Sequence, residues 1–286
     1  MNVFVQDLTL ETGDWEYPRS MLFNQTVAHM KHFSFAVAVC STLCMPMSAS
    51  AYVLAETTFL GGVQVFKWGA PGYGTGASVT WSVMQGGTDC SAVTFMPCST
   101  AALADFMPSS HLATIQHAFD TWSSVADLSF ARVPDDGAAV DAITKSGDIR
   151  IGGFSFTNSN FNSAGGIGFY PTMHQFFGGV LVGTGNNSLT GDVFFNTDLA
   201  GGFSDTAFLS QLAAHEIGHA LGLGHSDVAG SVMSANGLPA FAGLGADDIA
   251  GVQFIYGAHA AAVPEPAAWA LFACGLAGLA LRRTQR

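Results

Sequence analysis

Charged side chains are scarce in this chain of 286 residues. Asp, Glu, Lys and Arg make up 10% of it, against about 25% in an ordinary soluble domain. Lys and Arg number only 9 against 21 Asp and Glu, which gives a formal net charge of −12. Because nucleic-acid binders use basic side chains to displace counterions from phosphates, this balance disfavours a nucleic-acid partner. The 23 Phe and 5 Trp can build a core, which disfavours a disordered chain.

Long apolar runs are also missing, since the two apolar segments near the ends are shorter than the ~20 residues of a spanning helix. Near the start, the basic sequence after Met30 leads into an apolar run over 33–44 and then into Ala49-Ser50-Ala51. This order predicts a secretory signal peptide over 30–51, with the mature chain starting at Tyr52. The alternative is an N-terminal membrane helix, which the shortness of the run disfavours.

The C-terminal segment, 263–286, carries Pro264-Glu265-Pro266, an apolar stretch over 267–281, and then Arg282-Arg283. A buried helix of the domain is the alternative, but the stretch is apolar on all sides, which favours a membrane. The segment resembles the PEP-CTERM sorting signal of Gram-negative bacteria. The resemblance implies export, transient anchoring in the inner membrane, processing by an exosortase-type enzyme, and a final location at the cell surface or outside the cell.

Cysteine usage agrees with export. Cys40 and Cys44 fall in the predicted signal peptide and Cys274 in the C-terminal segment, which leaves Cys90 and Cys98 in between. In an oxidising compartment, two cysteines this close together predict a small disulfide loop. The alternative is a cysteine that blocks a metal ion.

The remaining residues, 52–262, are predicted to form one domain, and 1–29 are interpreted as a mis-assigned leader ahead of a true start at Met30. Alternating and helical spacing predict the regular elements. Strands are expected at 62–68, 77–84, 128–133, 147–152, 167–170, 179–182 and 192–195, and helices at 110–125, 205–222 and 246–256. Asp205 is expected to cap the start of the second helix. Strands come mostly first and the long helix late, which is an α+β pattern.

The most informative segment runs from His215 to His225. On a helix, His215 and His219 lie on one face, and Glu216 lies beside them, where it can hold a water molecule. Gly222 can end the helix in a left-handed conformation, so that the chain turns and His225 becomes a third ligand. Three histidines leave one tetrahedral position open, as in a catalytic zinc site, with Glu216 as the general base for a zinc-bound water.

The pattern HExxHxxGxxH matches the signature of the metzincin zinc proteases. Met233 follows at the offset of the methionine turn, which in that family packs beneath the metal without binding it. Ser226, directly after the third histidine, is typical of the matrixins, and the resemblance to matrixins extends over roughly 62–257. It implies a zincin-like metalloprotease domain: a twisted, mostly parallel sheet of about five strands, an active-site helix and a C-terminal helix. It also implies a metalloendopeptidase activity on protein or peptide substrates.

The chain departs from animal matrixins in its metal-binding side chains. The strand positions that correspond to a second, structural zinc carry no histidine, so one zinc ion is expected. Calcium is a candidate cofactor, because Asp192, Asn196 and Asp198 offer oxygen ligands. A plain polar turn is the alternative interpretation of these three residues.

Two other functions stay open at this point. One is a non-catalytic, zinc-containing surface or biofilm-matrix protein, which an intact Glu216 disfavours. The other is a zinc hydrolase of a non-peptide amide. For a peptidase, the segments 165–170 and 178–182 are candidates for the strand with which an extended substrate pairs.

Overall fold

A computed structural model describes residues 52–259, apart from positions 60–61, 158, 160, 162–163, 172, 178–179, 184–188 and 236–241. The predicted leader, signal peptide and C-terminal sorting segment lie outside the described residues. Among the residues that are described, no helix combines the length and the apolar character needed to cross a membrane.

Nine strands, five α-helices and two short 3₁₀ helices, Thr197–Leu199 and Gly202–Ser204, make up the regular structure of the described residues. The strands are β1 (Glu56–Phe59), β2 (Gly62–Phe66), β3 (Ala77–Val83), β4 (Leu128–Arg132), β5 (Ile149–Phe154), β6 (Gly166–Gly168), β7 (Met173–Phe177), β8 (Val180–Gly183) and β9 (Val193–Asn196). The helices are α1 (Ser91–Thr94), α2 (Leu103–Phe106), α3 (His111–Ser123), α4 (Thr206–Ala220) and α5 (Ala246–Tyr256).

Five of the strands form one sheet in the order β4-β3-β5-β9-β6. The first four run parallel, and β6 pairs antiparallel with β9 at one edge. All residues of β5 and β9 are buried, as expected for inner strands of a parallel sheet covered on both faces. The expected α+β architecture with a mostly parallel sheet of about five strands is therefore confirmed.

The remaining four strands form a second sheet in the order β1-β2-β7-β8, with every pair antiparallel. The strands predicted at 62–68 and 77–84 thus belong to different sheets, and neither β1 nor β7 was predicted. The chain between β2 and β3 turns around the buried ammonium group of Lys67. Its Nζ donates to the carbonyl oxygens of Trp68 and Ala70 and to Thr75.

Helix α4 is the most deeply buried helix, because its sequence is apolar on almost every side. Asp205 caps its first turn and accepts hydrogen bonds from the backbone of Ala207 (2.9 Å) and Phe208 (3.3 Å), as its position predicts. Helix α3 packs alongside, and Trp122 donates its indole N–H to the carbonyl of Ala214 at 3.0 Å. One side of α4 contacts β6, and another side contacts the segment before α5.

A disulfide and a buried ion pair stabilise parts of the domain away from α4. Cys90 and Cys98 are joined by a disulfide around α1. Arg150 on β5 makes a bidentate ion pair with Asp135, with both N–O distances 2.9 Å and both side chains almost fully buried.

Candidate metal centre

Three histidine side chains converge where α4 ends. The Nε2 atoms of His215 and His219 are 3.2 Å apart, and the Nε2 atom of His225 lies 3.2 Å from that of His219 and 3.3 Å from that of His215. Within the described residues, this is the one group of three or more His, Cys, Asp or Glu side chains placed to share a metal ion. Tetrahedral coordination at the usual zinc–nitrogen distance requires ligand atoms about 3.3 Å apart, so the triangle fits zinc.

The protonation of the rings supports the same conclusion. The Nδ1 atom of His215 lies 2.7 Å from the carbonyl oxygen of Val232, and that of His219 lies 2.8 Å from the carbonyl oxygen of Leu223. A carbonyl can only accept, so Nδ1 carries the hydrogen and Nε2 carries a lone pair. Two lone pairs at 3.2 Å repel each other, which makes the triangle favourable only around a cation.

Burial keeps these imidazoles neutral. Desolvation lowers the pKa of His215 to about 4 and lowers the pKa of His219 well below its ordinary value, and the neighbouring histidines act in the same direction. Both rings are therefore uncharged at neutral pH, which is the form that binds metal ions.

The turn that brings His225 to the site depends on Gly222. This residue has φ +97°, and a Cβ at 222 would collide with the carbonyl oxygen of Phe66 at the end of β2. Two backbone hydrogen bonds hold the chain on either side of Leu223. The N–H of Ala55 donates to the carbonyl oxygen of Gly222 (2.9 Å), and the N–H of Gly224 donates to that of Val53 (2.8 Å). Only a glycine allows the helix to stop here with β2 packed against it.

Glu216 lies directly under the edge strand β6. A Cβ at Gly166 would come within 2.8 Å of the Glu216 side chain, and a Cβ at Gly168 would collide with the backbone of Glu216. Burial raises the pKa of the Glu216 carboxyl to about 8, although a hydrogen bond from Gly168 opposes this change. Because Gly166 and Gly168 have no side chains, β6 can lie close to the Glu216 carboxyl group. The sequence alone did not indicate this role.

Met233 is buried beneath α4. Its Sδ atom occupies the space that a Cβ on Gly218 would need, one residue before His219. Its carbonyl accepts from the backbone of Ser226 at 2.8 Å, which closes a turn directly after His225.

Two carboxylates at the start of α5 form hydrogen bonds with this turn. From their positions in the sequence, these acids would be expected only to stabilise the N-terminus of the helix. Asp248 accepts hydrogen bonds from the backbone of Val232 (2.8 Å), Met233 (3.3 Å) and Gly245 (2.7 Å). Asp247 accepts from the hydroxyl of Ser226 at 2.6 Å. The only signal in the sequence was the pair of adjacent acids, and nothing in their spacing indicates the distant turn that they bind.

The candidate calcium ligands are not brought together. Asp192 directly precedes β9 and Asn196 ends it, which at strand spacing separates the two by about 13 Å. Asp192 accepts from the backbone of Arg150, whereas Asn196 accepts from the backbone of Asp198, and Asp198 itself accepts from Thr157. The three residues therefore do not form a single site.

The comparisons with known proteins agree with this geometry. The family model for matrixins matches residues 98–257, and that for the PEP-CTERM protein-sorting motif matches residues 262–283. Matrix metalloproteinase-18 of Xenopus laevis is 33% identical over 147 residues, and the interstitial collagenase of Sus scrofa is 36% identical over 148 residues. Each match covers 50% of this chain, and 28% and 27% of those proteins.

A hatching enzyme of Paracentrotus lividus is 34% identical over 196 residues, which is 64% of this chain and 27% of that protein. The chain thus spans less than a third of the length of the curated relatives that it matches. The family match nevertheless covers more than half of the chain, including every residue of the histidine triangle. The protein belongs to the matrixin family.

Proposed function

We propose that this protein is an exported zinc-dependent endopeptidase in which Glu216 is the general base. The proposal rests on the triangle of Nε2 atoms, which are 3.2–3.3 Å apart, and on the buried carboxyl group of Glu216, the residue directly after His215. A purely structural metal site has no use for a buried carboxyl beside it, since burying a carboxyl costs free energy.

His215, His219 and His225 would hold the ion. When bound, zinc polarises a carbonyl group and lowers the pKa of water to ~7. The carbonyl groups of Val232 and Leu223 orient two of the three rings through Nδ1, and Met233 supports the helix from below. Two of the three proposed ligands, His215 and His219, are therefore neutral and oriented before an ion binds.

Glu216 moves the proton in this proposal. Its carboxylate accepts a proton from the attacking water and then donates that proton to the leaving amine. A pKa near the working pH suits a group that must both accept and donate, and burial supplies that condition here. A cation at the histidines favours the ionised carboxylate, so the group is ready to accept.

The substrate is proposed to pair with β6. This strand is the edge of the five-stranded sheet, and its glycines bring its backbone close to Glu216. An extended peptide that adds to such an edge forms main-chain hydrogen bonds, which hold it without regard to sequence. That geometry selects peptides over small amides, which have too little backbone to pair.

Export and processing complete the proposal. The matched sorting motif over 262–283 supports export in a Gram-negative bacterium. The signal peptide over 30–51, the mature start at Tyr52, the domain limits at 52–262 and the removal of 263–286 by an exosortase-type enzyme are part of the proposed route. Sequencing the termini of the exported protein tests all four.

The activity is tested on the full chain, expressed in a Gram-negative host and purified after export. We expect one zinc ion per chain by mass spectrometry and cleavage of casein. Glu216→Gln should keep the zinc and lose activity by a factor of about 10² to 10⁴. His219→Ala should lose the zinc, whereas His117→Ala, a change at an exposed histidine on α3, should keep both zinc and activity.

Each alternative has its own result. Stoichiometric zinc with no cleavage of casein or of a broad peptide library would favour a non-catalytic surface protein. Cleavage of small amides but not of peptides would favour a different hydrolase. Full activity in Glu216→Gln would contradict the assignment of the general base.

A further inference from the structure

Tyr170 is an exposed aromatic side chain at the rim of the histidine triangle. The residue is 40% exposed, and its ring makes an edge-to-face contact with the His219 ring, with centroids 5.9 Å apart. On another side it packs against the ring of Phe66 at 5.5 Å. Among the side chains that the structure describes, Phe95 and Phe254 are the other exposed Phe, Tyr or Trp residues, and Phe254 packs against Tyr52 and Tyr73.

The position of Tyr170 along the chain is also informative. It follows β6 by two residues, so it lies just beyond the strand on which an extended substrate would pair. Its backbone is held in place, because Gly191 donates to its carbonyl oxygen at 3.0 Å, and Phe169 donates to Asp192 at 2.9 Å. The exposed ring is therefore fixed beside the path of a substrate.

Through Phe66, the second sheet contacts the rim of the histidine triangle at Tyr170. It is the last residue of β2, and its carbonyl is the group that requires a glycine at 222. The same residue thus contacts the end of the active-site helix through its backbone and Tyr170 through its ring. Because the ring of Tyr170 is supported from one side, little conformational freedom remains to be lost when something packs on the other.

We propose that Tyr170, supported by Phe66, is a substrate-contacting residue that selects an apolar side chain near the cleaved bond of a peptide. This inference rests on the proposed peptidase function. An exposed ring next to a bound chain gains free energy when an apolar side chain covers it, and aromatic contacts add to that gain. The competing explanation is that Tyr170 only holds His219 in place.

The two explanations differ in what they predict for different substrates. The probes are fluorogenic octapeptides that carry Phe, Leu or Ala at each position on either side of the cleaved bond. For one position we expect Tyr170→Ala to lower kcat/KM by about 3- to 10-fold when the peptide carries Phe or Leu, mainly through KM. The Ala peptide should be affected by less than about twofold, and Tyr170→Phe should behave as the parent does.

Phe254→Ala is the matched control, since Phe254 is 42% exposed on α5 and contacts Tyr52 and Tyr73 instead of the histidines. It should leave all peptides unchanged. Zinc content and zinc affinity are measured for every variant. An equal loss for all peptides in Tyr170→Ala, or a loss of zinc affinity, would overturn the proposal in favour of a merely supporting role.

Binding separates this proposal from the peptidase function. Each peptide is titrated into Glu216→Gln and into Glu216→Gln/Tyr170→Ala, with fluorescence polarisation as the readout. If the parent cleaves nothing but binding still weakens for the Phe and Leu peptides alone, the rim assignment stands and the catalytic proposal fails. If cleavage is normal and no peptide responds to the loss of Tyr170, the rim assignment fails alone.

Discussion

Replacing Gly222 by alanine should damage the site more than the same replacement at Gly230. Two costs add at this position. An L-residue at positive φ costs roughly 1–2 kcal/mol, and the new Cβ would collide with the carbonyl oxygen of Phe66, where forced overpacking costs about 1–3 kcal/mol more. We therefore expect Gly222→Ala to lower the free energy of unfolding by about 2–5 kcal/mol.

Gly230 is the matched control for this experiment. It has φ +85° and lies in the loop after His225, but a Cβ there would meet nothing within 4 Å. Gly230→Ala should therefore cost only the backbone part, roughly 1–2 kcal/mol. The difference between the two variants measures the close approach of β2 to the end of α4.

The assay is urea unfolding of the metal-free proteins, followed by zinc competition with a chromophoric chelator. Gly222 stands between the second and third histidines, so a shift of the turn should weaken zinc binding at least about tenfold, as happens when groups that orient metal ligands are lost. Gly230→Ala should leave zinc affinity within about twofold of the parent. Equal effects of the two variants on stability and on zinc affinity would refute the reasoning.

Two further predictions concern buried charges on and beside β5. Asp135→Asn breaks the buried ion pair with Arg150 and should lower the free energy of unfolding by about 3–5 kcal/mol. Asp141→Asn, at an exposed position, should change it by less than about 0.5 kcal/mol. Similar values for the two variants would contradict the assigned role of the ion pair. Burial raises the pKa of Asp192 in the folded protein to about 8, above the value of 3.8 for an unperturbed aspartate, so the folded state disfavours the ionised form. In EDTA, the contribution of Asp192 to the free energy of unfolding should therefore fall as the pH rises from about 4 through 8. Plotted against pH over that range, the free energy of unfolding of Asp192→Asn should have a more positive slope than that of the parent. An unchanged slope in Asp192→Asn, measured by urea unfolding across this pH range, would contradict it.

Local patterns in the sequence predicted the elements that depend on local physics. Helix α5 spans the predicted residues, α4 begins at its predicted cap, and the five-stranded sheet follows from short apolar strands. These features depend on residues close together in the chain, whose spacing and capping chemistry are visible in the sequence.

The features that the sequence did not reveal are pairings between distant segments. Strand β2 pairs with β7, where Val65 lies opposite His174, and no local pattern specifies that register. Asp248 binds the turn at Val232 and Met233, although its own position indicates only a helix start. The glycines of β6 are ordinary turn formers by composition, and only their contact with Glu216 explains why a side chain cannot stand there.

The three imidazoles that form the triangle come from eleven consecutive residues. In terms of chelation, the two loops that link the donors are very short, so closing them costs little chain entropy. Most of the ordering of the donors is accomplished once α4 and the turn at Gly222 have formed. Distant partners such as Asp248 then restrict the orientation of the donor set and the turn beneath it, without being needed to bring the donors together.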